Sequence, residues 1–235
     1  MKVVIYSCIT GGYDDAVTAL FASHAEATST GDVRCVLFTE GIEAGASSKR
    51  VAPKRTFEWE LRPLLWKHPL CKARTARWHK VNSHLLHFDV DYTIWVDGTQ
   101  KIKGNQVADK LVDLCFKLPI ATFKHPIRTC AYQELQACCD LKKDNELLMR
   151  QQLAAYRAAG YPLFNGLAET ACIVRKTCDD VARFNQAWWR EIEQFSFRDQ
   201  LSFDYTAWRN GLSYAKIPGH RQSSNFFEFV GHRST

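Results

Sequence analysis

The chain has 235 residues, 46% of them apolar, with seven Trp and 14 Phe. That suffices for one packed α/β domain, and the absence of any run of about 18 apolar residues excludes a membrane-spanning helix. The formal charge of +6 suits an anionic ligand but is too mild to establish nucleic-acid binding.

The opening "MKVVIYSCIT" has one Lys and a short apolar stretch broken by Tyr and Ser. It reads as a first strand, Val3 to Ile9, and not as a signal peptide. The strand ends in Thr10-Gly11-Gly12-Tyr13-Asp14-Asp15, where two glycines let the backbone approach a ligand or turn. A second apolar run, Val33 to Phe38, ends in Thr39-Glu40-Gly41, and 41–48 is loop-like. From Lys72 to Phe88 the period turns helical, with Trp78, Val81, Leu85 and Phe88 on one stripe. The apolar run Tyr92 to Val96 predicts a strand that delivers Asp97-Gly98-Thr99 to its tip.

Val107, Leu111, Leu114 and Leu118 predict a helix over 107–118, and "PIATFKHP" predicts a strand ending at Lys124-His125-Pro126. The next helix has Asp144 as its expected N-cap and Gly160 as its stop. "LAETACIVRK" predicts a strand over 167–176. "DDVARFNQAWWREIEQF" predicts an amphipathic helix burying Val181, Phe184, Trp188, Ile192 and Phe195. A last helix covers 200–210 and stops at Gly211. This alternation predicts a mostly parallel α/β sheet with ligands at the strand C-termini.

The polar groups collect at those strand ends. They are Thr10, Tyr13 and Asp14, then Thr39 and Glu40, then Asp97 and Thr99, then Lys124 and His125. On the helix after Lys72, Arg77, Lys80, His84 and His87 share a face, with Arg77 and Lys80 placed to meet a phosphate and the histidines to meet solvent. Asp89-Val90-Asp91 is a literal DxD, but it precedes its strand and reads as a turn. Asn165, Gly166 and Glu169 stand just before a strand, and Arg198-Asp199-Gln200 opens the last helix, where a carboxylate either caps or faces a sugar. Nine cysteines, an odd number without a CxxC pair, argue against a disulfide framework or zinc site and for reduced thiols in a cytoplasmic protein.

Together "YSCITGGYD", "FTE", "ARWHKVNSHLLHFDVDYTIWVDGT", "FKHPIRTCAYQE", "YPLFNGLAETACIVRK" and "FRDQLSF" make residues 3–212 resemble the glycosyltransferase-like family of the TOD/MUCI type. The resemblance implies one GT-A-like domain over 1–235, with 213–235 closing the site. It implies transfer of a hexose from a nucleotide-sugar, a UDP-sugar by expectation, to an acceptor hydroxyl. The motif order is similar to that of retaining hexosyltransferases, which implies retention. By that similarity Asp97 and Thr99 occupy the metal-binding DxD, Asn165-Gly166 the next segment and Asp199-Gln200 the reacting segment. Glu169 is the reserve carboxylate, and His220 or His232 the terminal metal ligand. Thr10, Tyr13 and Asp14 would line the nucleoside pocket, Arg77, Lys80 and Lys124 would neutralise the leaving group, and His125 would contact acceptor or phosphate.

Thr99 departs from the pattern, so the implied Mn²⁺ or Mg²⁺ is expected to be weakly held or dispensable. The acceptor is left open among glycan, protein, lipid and modified nucleic acid. Rival readings are a non-catalytic nucleotide or sugar binder on the same fold and an enzyme glycosylating a modified base.

Overall fold

The computed structural model describes residues 1–11, 31–41, 59–104 and 106–230. Among the described residues three strands come first: β1 Lys2–Ile9, β2 Asp32–Thr39 and β3 Trp59–Pro63. Then follow α1 Lys72–Val81, β4 Tyr92–Val96, β5 Gln100–Ile102, α2 Val107–Asp113 and β6 Ile120–Lys124. The C-terminal half contains α3 Ala131–Asp140, α4 Glu146–Ala158, β7 Ala168–Lys176, α5 Asp179–Gln194, α6 Asp199–Arg209, β8 Ala215–Ile217 and β9 Phe227–Phe229.

Seven strands form one sheet in the order β3-β2-β1-β4-β7-β6-β8, and β5 pairs β9 in a small second sheet. β1 lies between β2 and β4, parallel to both. Alternate residues of β1 enter opposite cores, Val3 and Ile5 on one side and Val4 and Tyr6 on the other. Burial on both faces is why this strand reads as an unbroken apolar run. One core is closed by α2 and the small sheet, through Leu111, Ile102 and Phe227. The other is closed by α5 and α6, through Phe184, Trp188 and Phe203. The Trp188 indole donates to Asp199 O at 3.2 Å and Ser202 Oγ at 3.1 Å, which fixes the start of α6 against α5.

The sheet is mostly parallel, as expected, and one exception builds the site. β7 runs antiparallel to both β4 and β6. Its N-terminal end therefore lies beside the C-terminal tip of β4, where Asp97 N donates to Ala171 O at 2.8 Å. The β6–β7 register also breaks between Thr122 and Phe123, and the Thr122 hydroxyl bridges the break by donating to Glu169 O and Cys172 O. Such bulges re-aim side chains. Here the residues of β7 left unpaired with β6 are Thr170, Ala171 and Cys172, and the first two line the crevice beside Glu169.

Several elements differ from the pattern expected. The helix begun at Lys72 ends at Val81, not Phe88, because Asn82 leaves helical geometry and a short 3₁₀ turn follows over Ser83–Leu85. The helix begun at Val107 closes at Asp113, so Leu118 lies beyond it. Asn145, not Asp144, caps α4 by accepting from Leu148 N at 3.0 Å. Asp144 instead accepts from Ser196 Oγ at 2.6 Å and Phe197 N at 3.1 Å, and so anchors the approach to α6.

Candidate active site

The tips of β1 and β4, the start of β7, one face of α1 and the start of α6 enclose a crevice of about 670 Å³. α1 presents Lys72, Ala76 and Lys80 at successive helical turns, with Ala73 and Arg77 beside them. The two alanines keep space open between the cations. Thr10 Oγ1 donates to Lys72 O at 3.1 Å, tying β1 to the first turn of α1. At Gly11, φ is +74°, and an added Cβ would come within 2.4 Å of Lys72 Cδ. Only glycine lets the Lys72 side chain lie across this turn.

Lys80 is the centre of the arrangement. It is 1% exposed, and its ammonium lies 2.7 Å from Asp199 Oδ2 and 3.1 Å from Asp97 Oδ1. It also donates to Thr170 Oγ1 at 3.3 Å, and that hydroxyl donates to Asp199 Oδ2 at 2.7 Å. The Trp95 indole N–H donates to Asp97 Oδ1 at 2.6 Å. Arg77 Nε stands 3.0 Å from Asp199 Oδ1 without a well-directed hydrogen bond, so this contact is mainly one of charge. Burial alone would raise the Asp199 pKa, but Arg77, Lys80 and Arg198 prevail and hold it far below the ordinary carboxylate range.

Glu169 behaves in the opposite way. Burial pushes its pKa up, and Arg221, 3.0 Å away, offsets this only in part. On the facing wall His125 Nδ1 accepts from the N–H groups of Ile127 and Arg128. Burial and the Arg128 charge lower the His125 pKa. Arg128 itself pairs with the buried Glu134 of α3. Gln200 donates to Ala168 O at 3.2 Å.

Of the residues singled out in the sequence, Thr10, Arg77, Lys80, Asp97, Thr99, His125, Glu169, Asp199 and Gln200 line this one crevice. Lys124, Asn165, Gly166 and His220 are not among its lining residues. Lys124 and Asn165 are exposed, and Gly166 serves a turn with φ +96° whose N–H donates to Thr129 O. His220 is half-buried, and its Nδ1 accepts from Gln222 N. Tyr13, Asp14 and His232 lie outside the described residues. Asp89 and Asp91 meet Lys2 at the N-terminal edge of the sheet, away from the crevice.

Residues that pattern alone did not mark include Trp95, Thr170 and Arg221. Trp95 and Thr170 sit inside apolar runs, and only the reversal of β7 turns Thr170 into a neighbour of Asp97. Among the described residues no three His, Cys, Asp or Glu side chains gather to hold a metal ion. The second carboxylate position is the neutral Thr99, and Asp97 already faces an ammonium. These donors fit a divalent ion poorly.

No helix among the described residues is long and apolar enough to cross a membrane. Comparison with curated proteins gave no match. The family model for the TOD1/MUCI70 glycosyltransferase-like domain, by contrast, matches residues 1–229. With that match over a Rossmann-like sheet whose strand tips gather Asp97, Lys80 and Asp199, the chain belongs to the TOD1/MUCI70 glycosyltransferase-like family.

Proposed function

We propose that the crevice binds a nucleotide-sugar, a UDP-hexose by preference, and transfers the hexose to an acceptor hydroxyl. The family supports a glycosyltransferase role in general. The observation that carries the finer reading is the buried Lys80 bridging Asp97 and Asp199 beside Arg77, in a cavity of about 670 Å³. That volume lies within the range of small-ligand sites, about 300–1,000 Å³.

In the reaction the bond from the anomeric carbon to the diphosphate oxygen breaks, and its electron pair leaves with the diphosphate. Preorganised cations stabilise that departing charge. Lys80 and Arg77 are held in place by Asp199, so they need little reorganisation as the charge develops. The acceptor oxygen bonds to the anomeric carbon and releases its proton. Glu169, whose raised pKa favours proton uptake, is the candidate to receive it, and Gln200 adds a polar group beside the reacting carbon. Retention of anomeric configuration is part of this proposal and rests on the motif order. Closure of the site by the C-terminal segment is supported by Arg221, which pairs with Glu169. All nine cysteines are free thiols, which suits a reducing compartment such as the cytoplasm.

A thermal-shift screen of nucleoside diphosphates and their sugars tests this reading, since a ligand that binds the native state raises apparent stability. UDP and a UDP-hexose should raise the melting temperature more than the other nucleotides. A protein unmoved by every nucleotide at millimolar concentration would rule the reading out. A non-catalytic binder would respond to UDP yet release no UDP from the UDP-sugar, with or without an acceptor.

A further inference from the structure

The charges lining the crevice do not cancel. Among the described residues seven lining side chains are Lys or Arg and four are Asp or Glu, which leaves a surplus of three positive charges with histidine counted neutral. The ion pairs show where the surplus resides. Glu134 is matched by Arg128 and Glu169 by Arg221, while Asp97 and Asp199 share Lys80 and Arg77. Among the described residues Lys72 and Lys143 have no ion pair, and Arg198 acts on Asp199 and Glu134 through its charge without a direct ion pair. Arg198 Nε is buried without a hydrogen-bond partner, and so is Arg77 Nε. The Lys72 ammonium lies close to Gly11, 3.1 Å from where a Cβ would stand.

A departing nucleoside diphosphate carries about three negative charges at neutral pH, each stabilised by preorganised cations. Metal-dependent phosphate sites commonly use carboxylates to hold the cation that meets this charge. Here the strand tip supplies one carboxylate, Asp97, with a buried ammonium 3.1 Å from it. A divalent ion at Asp97 would be repelled by Lys80, whereas a bare diphosphate would be attracted by the surplus.

We infer that this crevice holds the diphosphate of its donor without a divalent metal, on its own lysine and arginine side chains. Asp97 then acts as the anion that positions Lys80, not as a metal anchor. The inference rests on the nucleotide-sugar reading for its biological ligand, but the cationic seat can be probed separately with inorganic pyrophosphate.

The experiment is calorimetric titration of the full chain with pyrophosphate and, in parallel, with UDP, in EDTA and in Mn²⁺. Pyrophosphate should bind in EDTA, and Mn²⁺, which chelates pyrophosphate in solution, should not tighten its binding. Lys72 is exposed, so Lys72→Ala should fold normally, checked by its melting curve, and weaken binding in EDTA about tenfold. Asp97→Asn gives opposite signs for the two models. A metal anchor would lose affinity, whereas removing a negative charge from a metal-free seat leaves affinity equal or higher. Pyrophosphate binding in EDTA with no response to UDP would uphold the seat and refute the nucleoside reading. Binding seen only with Mn²⁺, binding in neither condition, or an Asp97→Asn variant weakened tenfold or more would overturn the inference.

Discussion

Replacing Lys80 by methionine keeps most of the side-chain volume and removes one charge. The ammonium is 1% exposed and contacts Asp199 at 2.7 Å, Asp97 at 3.1 Å and Thr170 at 3.3 Å. Breaking a buried pair from one side costs about 3–5 kcal/mol, because the partner's charge is left buried. Arg77 still lies 3.0 Å from Asp199, and Asp97 is 27% exposed at its side chain, so the lower end of that range, about 3 kcal/mol, applies. For a chain of this size each kcal/mol moves the melting temperature by about 2–4 °C, which gives a fall of about 6–12 °C. Differential scanning fluorimetry measures it directly. Adding Asp199→Asn should recover part of the loss, since the orphaned carboxylate is then gone, and the double-mutant cycle should show coupling of at least about 1 kcal/mol. A Lys80→Met protein melting within about 1 °C of wild type would refute the buried bridge on which the site is built.

Asp97→Asn should lower turnover about a hundredfold or more while the fold survives, because its role is electrostatic positioning at a crevice and not core packing. Steady-state release of nucleoside diphosphate measures this, and wild-type turnover would contradict it. Asp89→Ala should change neither melting nor turnover, since Asp89 is exposed and pairs with the exposed Lys2. His79 provides a pH prediction. It is buried and accepts from Leu65 N, and burial lowers its pKa from 6.5 to about 4. Below pH 6.5 the unfolded chain therefore binds a proton that the folded one refuses. Stability from this group is complete above pH 6.5 and falls as the pH drops toward 4, by up to about 3 kcal/mol. Urea midpoints compared across that window for wild type and His79→Gln should show a shallower acid slope in the variant.

The central strands were legible in the sequence because burial on both faces leaves an uninterrupted apolar run, as in Val3 to Ile9 and Tyr92 to Val96. Asp97 was legible for the same reason, since the run ends on it. The direction of β7 was not, because its apolar run is the same read either way. With the direction went Thr170 and the precise neighbours of Glu169. β3 was hidden by Glu60 and Arg62, which pair with each other on an edge strand. β5, β8 and β9 have three residues each, too few for a period. α3 lies in a stretch where Glu134 and Cys138 face inward, so its buried side carries a polar residue that a hydrophobic stripe does not report. The cap expected at Asp144 falls on Asn145 because Ser196, 52 residues away, engages the Asp144 carboxylate, a contact no local pattern reports. Arg77 and Lys80 lie on α1, as the helical period after Lys72 reports, but their common partner Asp199 is more than a hundred residues away and no local pattern links them.

The most direct measurement is a crystal structure of the protein soaked with a UDP-hexose in EDTA. The diphosphate should lie among Lys72, Arg77 and Lys80, the nucleoside toward Thr10 at the tip of β1, and the hexose facing Glu169 and Gln200. Density for the nucleotide anywhere outside this crevice, or none in it at saturating concentration, would contradict the account.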